Sequence, residues 1–413
     1  MYNKEKLKKT ILYKIFHKPY SVCKGLCLRV SRNIKKQILA DEYPLIKKMS
    51  DSFEKVATFR EAGYEEVKMP DVYGLSYNGT INMYFPSIDM ICIKNAKISE
   101  NSDIIITPKG VAWRKVESPM FWKSKPDDWD LISYNEDRIK VLRKKKEIKV
   151  RGKCFSMLGQ FDFLWSHFIL QFFSKLVYAS EYGLFNEEIS ILVPQYTDQN
   201  VIDAVHLVID KYPHVHVVKT EENVTYTCEQ LYYITATEMY TAQLDIQVIY
   251  DTIVPRCTIE ALKRGIVDPI LEMKNDKEFP KKLYLVRRGE NRNLKNWREI
   301  ETLFESKGFA LIEGHKYSLK DKIYMFHNAT EIVGPGSASF MAIFACENTK
   351  IMMLYNILRS VETFITGYCE IGNSKMLMVT EKDLVDKNCY PHSSYYISRD
   401  RVEAAYQEFM TSK

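Results

Sequence analysis

Residues 331–355, EIVGPGSASFMAIFACENTKIMMLY, constrain the fold more than any other stretch, because they read as strand, glycine-rich turn, short helix and strand in direct succession. Ile332 and Val333 end an apolar run that Gly334, Pro335 and Gly336 cannot continue. Ser337 and Ser339 then place hydroxyls where a helix over 341–346 should begin. The first amides of such a helix lack intrahelical partners and lie at the positive end of its dipole, which favours an anion. Any βαβ unit needs a tight turn of this kind, so the turn alone does not define a phosphate site.

The same alternation runs through most of the chain. An apolar run at 154–158 precedes an aromatic-rich helix at 163–182. A strand at 189–193, a helix at 200–211 and a strand at 215–219 complete a βαβαβ pattern. After a helix at 258–274 a second alternation starts with a strand at 283–286 and a helix at 297–307 closed by Gly308. It continues with a strand at 310–312, a helix at 319–327 opened by Ser318 and Asp321 in a capping-box-like start, the glycine turn, and a strand at 350–354. The pattern predicts an α/β fold with two Rossmann-like halves, 151–275 and 276–413, and ligands at the carboxyl ends of the strands in the cleft between them. Residues 41–150 read as a β-rich, irregular region with short strands at 80–84, 90–93 and 104–107. The basic stretch at 138–153 reads as a solvated linker behind it.

A chain of 413 residues with 46% hydrophobic and 27% charged residues has the composition of a soluble protein of two or three domains. Its nine cysteines are odd in number and scattered, with no Cys/His cluster at zinc spacing, which points to a reducing compartment and no structural metal. The charge is unevenly placed. Residues 1–40 hold eleven Lys/Arg against Glu5, a net +10, leaving −4 of the overall +6 for the other 373 residues. Leu7, Ile11, Leu12, Ile15 and Phe16 recur at helical spacing among Lys4, Lys6, Lys8, Lys9 and Lys14, the pattern of a basic amphipathic helix on an anionic membrane surface. A solvated helix or a nucleic-acid arm would share this composition, but no nucleic-acid-binding motif accompanies it. With no spanning segment in the sequence, the expectation is a cytoplasmic protein, peripheral at the inner face of the membrane.

Two strand ends collect the chemistry. The strand at 283–286 runs into Arg287, Arg288, Gly289, Glu290, Asn291 and Arg292, and the strand at 332–333 runs into the Gly/Ser turn. Guanidinium forks and helix-end amides together suit a diphosphate. The GxGxxG fingerprint and the Walker P-loop are both absent, which removes NAD enzymes and P-loop kinases from the front rank.

The run from KLYLVRRGENRN to EIVGPGSASFMAIFACENTKIMML resembles the C-terminal half of glycosyltransferase family 61, as found in capsular polysaccharide clusters and in eukaryotic glycan enzymes. The family's Arg-Arg pair, later Arg and Asn, Val-Gly-Pro turn, Phe-Ala and Thr-Lys closing strand fall on Arg287-Arg288, Arg292, Asn296, Val333-Gly334-Pro335, Phe344-Ala345 and Thr349-Lys350. Upstream, LWSHFILQFFSKL resembles the family helix that begins with a His-aromatic pair, which places His167 on that histidine. The resemblance implies a GT-B fold, with a final helix over 399–410 crossing back to the first half, and an inverting, metal-independent sugar transfer from a nucleotide sugar to a glycan acceptor, free or lipid-linked, in cell-surface polysaccharide synthesis, with no cofactor. Arg287, Arg288 and Arg292, with Gly334, Gly336, Ser337 and Ser339, would hold the donor phosphates, and His167, with Asp162 as rival, would be the base. The chain also departs from the family. The histidine that usually follows Gly-Pro is missing, and the Glu and Pro-Arg of the family helix are replaced by Gln171, Ser174 and Lys175. A non-catalytic nucleotide-sugar- or glycan-binding relative would fit those departures as well.

Overall fold

The structure, a computed structural model, describes residues 40–74, 79–117, 128–195, 198–241, 251–289, 293–355, 363–381 and 394–412. The basic segment at 1–39 and Arg292 lie outside the described residues.

Two sheets carry the fold, as the alternating pattern predicts for an α/β protein. The smaller has six strands, all parallel, in the order Ala310–Ile312, Lys282–Leu285, Glu331–Pro335, Lys350–Leu354, Lys375–Val379 and Asp71–Val72. Its central strands are apolar on both faces, as parallel strands covered by helices must be; Ile332, Val333, Ile351 and Met352 are fully buried. The larger sheet has eleven strands. Its parallel part runs Val215–Lys219, Ile189–Val193, Lys146–Ser156 and Val224–Ile234, and the long strand Ile88–Ser99 then pairs antiparallel with Val224–Ile234.

Local chemistry explains the helices between the strands. Val201, Ala204, Val205, Val208 and Ile209 recur at 3–4-residue spacing and form the buried stripe of helix Gln199–Ile209, while the Asp198 side chain caps its start from the Asn200 amide at 2.8 Å. Ser318 caps Leu319–His327 through the Asp321 amide at 3.1 Å, as its capping-box pattern predicts. Gly183 and Gly308 end their helices in the left-handed region, with φ of 85° and 82°. The aromatic helix expected at 163–182 starts at Trp165 and changes pitch, from Trp165–Phe168 through a π turn at Ile169–Phe173 to Ser174–Tyr182. A second π turn, Lys263–Val267, packs on this helix at Gly265, where a Cβ would lie 2.4 Å from Val177 and 2.7 Å from Phe173. One continuous core joins the two sheets through these helices, with Phe155 and Ile191 on one side, Leu283, Ile332 and Ile351 on the other, and Phe168, Phe173, Ile266 and Ile343 between them.

Four expectations are corrected. Residues 41–150 are no separate unit, because Ile88–Ser99 and its neighbours continue the sheet of the first Rossmann-like half. The basic stretch at 138–153 is no linker but two strands, Arg138–Leu142 and Lys146–Ser156, whose charged residues alternate outward while Ile139, Val141 and Cys154 turn in. The helix expected at 341–346 is a 3₁₀ helix, Ala338–Ala345, that starts earlier. The closing helix Arg399–Thr411 does not return to the first half. Val402, Ala405 and Phe409 pack in the core of the C-terminal sheet, and Arg401 Nη2 donates to Tyr73 O at 2.8 Å.

Candidate active site

In the C-terminal sheet, Lys282–Leu285 sits between Ala310–Ile312 on one side and Glu331–Pro335 on the other, so the chain leaves this strand in one direction and returns on the opposite side. Such a reversal opens a crevice at the carboxyl ends of the two diverging strands. Those ends are the two loops singled out from sequence. Arg287 Nη1 donates to Gly336 O at 3.3 Å and ties them together. Arg288 is oriented from the other side. Its Nη2 lies 2.9 Å from Glu301 Oε2, and its guanidinium sits 4.0 Å from the centre of the Trp297 ring. Glu301 is almost wholly covered while the Arg288 side chain is 44% exposed, so the pair holds a half-exposed cation just beyond the strand end. Burial pushes the Glu301 carboxyl up, and the hydrogen bond from Arg288 opposes that shift. Asn296 anchors the start of the same helix by donating to Ile397 O at 2.9 Å.

The glycine turn has a packing explanation as well as a chemical one. A Cβ on Gly334 would lie 2.6 Å from Leu285 O, and one on Gly336 would lie 2.2 Å from the Tyr355 ring. The Gly336 amide bonds Leu354 O at 3.0 Å and is consumed by the sheet. The anion-binding capacity of the turn therefore starts at Ser337, the N-cap of Ala338–Ala345, whose Oγ is shielded and has no hydrogen-bond partner among the described residues. Ser339 packs against Gly314, where a Cβ would meet its Oγ at 2.8 Å.

The larger sheet has a reversal of its own. Lys146–Ser156 lies between Ile189–Val193 and Val224–Ile234, and the segments leaving the two diverging ends contain Gln160, Asp162 and Glu238. Arg114, with its side chain only 3% exposed, is the centre of this region: Nε lies 2.8 Å from Asp103 Oδ1, Nη1 pairs with Glu238, and Nη2 donates to Gln171 Oε1 at 2.9 Å. Asp103 Oδ1 also accepts from the Gln160 amide at 3.0 Å, which ties the loop to the network. Burial pushes the Glu238 carboxyl up, against the pull of Arg114 and Lys175. Lys175 is itself buried, 4.8 Å from the Tyr233 ring and 5.6 Å from that of Phe172.

The two expected bases occupy different environments. Asp162 is fully buried; its Oδ2 accepts from the Gly159 amide at 3.0 Å and the Asn101 amide at 3.3 Å, and burial pushes its carboxyl up to about 7. It clamps the 159–162 turn, in which Phe161 is held at φ 64°, a conformation that costs a bulky side chain on the order of 1–3 kcal/mol. That strain sets the Phe161 ring 4.9 Å from the imidazole of His167. His167 is half-buried, and its Nδ1 lies 3.1 Å from Gln171 Nε2. Its helix, Trp165–Phe168, packs on Ala338–Ala345, so the element that carries His167 adjoins the one that follows the Gly/Ser turn.

Residues 165–352 match the model of the family described as Glycosyltransferase 61, a span that reaches from the His167 helix through both Arg287-Arg288 and the glycine turn. The match places a glycosyltransferase family 61 domain in this chain, and the protein is a glycosyltransferase. No curated protein matches it. The residues that sequence reasoning missed are those that act through others: Arg114, Asp103, Glu238, Glu301 and Trp297. Arg114 carried one signal, a cation directly behind the apolar run Val111–Trp113, but its carboxylate partners are 11 and 124 residues away.

Two outcomes are expected from this geometry. Gly334→Ala should cost about 2 kcal/mol in urea unfolding, because the clash is with backbone, and more than Gly336→Ala, whose clash is with an aromatic ring that can turn. Equal small costs would show that the strand end yields. Because the folded-state pKa of Asp162 is raised, the native state holds a proton that the unfolded chain has released between pH about 4 and 7. Relative to Asp162→Asn, the wild type should be most stable below pH about 4, lose that margin up to about 7, and stay level above it; a margin that grows with pH would contradict the assignment.

Proposed function

We propose that the protein is an inverting, metal-independent transferase that moves a sugar from a nucleotide diphosphate donor to a hydroxyl of a growing glycan, in cell-surface polysaccharide synthesis of the capsule or lipopolysaccharide type. The two sheets act as a GT-B-like pair, the C-terminal sheet taking the donor and the larger sheet the acceptor. In the transfer, the acceptor oxygen bonds to the anomeric carbon as the bond from that carbon to the diphosphate oxygen breaks. The electron pair leaves with the diphosphate, and the hydroxyl proton passes to a proton acceptor. The diphosphate then carries added negative charge, and fixed positive groups aimed at it lower the barrier.

The observation that supports this most is the bridge from Arg287 to Gly336 O at 3.3 Å, which joins the two strand-end loops of the C-terminal crevice inside the matched span. Arg288, stacked on Trp297 and paired with Glu301, adds an oriented guanidinium, and the Ser337 and Ser339 end of the turn completes the cradle. Residues 1–39 would hold the enzyme at an anionic membrane surface where a lipid-linked acceptor lies; among the described residues no helix is long and apolar enough to cross a membrane.

A thermal-shift panel of nucleotide sugars tests the donor site, since a ligand at a hundred times its dissociation constant stabilises by about 2.7 kcal/mol. The expected result is a shift with one nucleoside diphosphate sugar, lost in Arg288→Ala, with transfer lowered at least about 100-fold in that variant. A cooperatively melting protein that no donor shifts would overturn the proposal. Deleting residues 1–36 should abolish flotation with vesicles containing anionic lipid, and unchanged flotation would remove the membrane role.

A further inference from the structure

The contacts from Arg114 through Gln171 to His167 Nδ1 have one consistent arrangement of donors and acceptors. Arg114 carries only donors, and its Nη2 lies 2.9 Å from Gln171 Oε1, which fixes the carboxamide with its oxygen towards the guanidinium and its NH2 group towards the imidazole. Gln171 Nε2, a donor, lies 3.1 Å from His167 Nδ1, so Nδ1 must accept. A neutral imidazole whose Nδ1 accepts holds its proton on Nε2, and an imidazolium, with N–H on both atoms, would oppose the amide N–H. The arrangement has no easy way to reverse. Arg114 stays protonated, is almost wholly buried between Asp103 and Glu238, and cannot accept if the carboxamide flips. Gln171 is 2% exposed on the π turn Ile169–Phe173, and the Phe161 ring packs against the imidazole.

We propose that Arg114 and Gln171 lock His167 in the neutral form protonated on Nε2, so that this ring meets substrate as a hydrogen-bond donor and not as the base that deprotonates the acceptor. The proposal rests on reading the site as a glycosyl-transfer centre. An Nε2–H donor serves an oxygen that gains negative charge as the sugar transfers, while the proton of the attacking hydroxyl goes to a group other than this ring. Gln171 and Arg114 are positioning residues. Position 171 sets the polarity: a carboxylate there would accept from Nδ1–H and leave the Nε2 lone pair basic, whereas the amide does the reverse.

The tautomer can be read directly from the imidazole nitrogen shifts of the full-length protein labelled with ¹⁵N-histidine, with the His167 signals assigned by their loss in His167→Gln. The wild type should show a protonated Nε2 and an unprotonated Nδ1, and Gln171→Glu should move the proton to Nδ1. A wild-type ring protonated on Nδ1, an imidazolium at neutral pH, or a tautomer unchanged in Gln171→Glu would overturn the lock. Kinetics separate donor from base without relying on the folding of the Gln171 variant. Glutamine at 167 offers an N–H close to the position of His Nε2 but cannot take up a proton. His167→Gln should therefore keep transfer within about tenfold of wild type while His167→Ala loses about 100-fold, and equal losses in both would overturn the donor role. The expected spectra without transfer from any donor would leave the lock standing and overturn its catalytic half together with the transferase reading.

Discussion

The burial of one cation, Arg114, is the interaction on which the first half of this protein depends. Its guanidinium joins the region of Asp103, the segment after the long strand Val224–Ile234 through Glu238, and the helix of His167 through Gln171. These groups come from four separate parts of the chain, and none is exposed to solvent enough to be satisfied by water. Removing Arg114, Asp103 or Glu238 would leave a buried charge unbalanced, which typically costs several kcal/mol, whereas the complete set roughly offsets its own desolvation. The cluster therefore contributes more to specifying which parts of the chain meet than to net stability.

The same economy operates in the second half on a smaller scale. Glu301 lies under Arg288 and Trp297 beside it, and together they restrict a long side chain that would otherwise lose rotamer freedom on meeting an anion. The two reversal points resemble each other in construction. Each lies where neighbouring strands diverge, each carries charged or polar groups on the loops leaving the strand ends, and each holds them with partners from distant sequence. The core that joins the sheets passes through the helix of His167 and the 3₁₀ helix after the glycine turn, so packing between apolar faces sets the spacing of the two groups of polar residues.

Much of the C-terminal half was legible because its signals are local. Apolar runs, the Ser318 cap and Gly308 each act within a few residues, and the strands and helices they predict between 283 and 327 and at 350–354 are present within a residue or two, whereas Gly334 and Pro335 continue the strand that they were expected to end. The region at 138–153 was misread because a strand with one solvated face and a linker share a charged composition. Only the partner strands show that Ile139, Val141 and Cys154 face inward. The closing helix was misplaced for a related reason. An amphipathic helix announces that it has an apolar face but not which surface covers it.

The sequence by itself determined the parallel α/β alternation, the placement of Arg287, Arg288 and the Gly/Ser turn at strand ends, and the resemblance that the family match supports. Those properties depend on backbone geometry and on spacing along the chain. Tertiary structure alone decided that Ile88–Ser99 and its neighbours share a sheet with the strands Ile189–Val193, Val215–Lys219 and Val224–Ile234, that Gly334 and Gly336 are glycines for packing reasons, that Asp162 is a buried clamp, and that His167 is governed by Arg114 through Gln171. Those depend on contacts between residues 124 positions apart and more, and the direction of a hydrogen bond is set by the partner at its far end, which no local pattern contains.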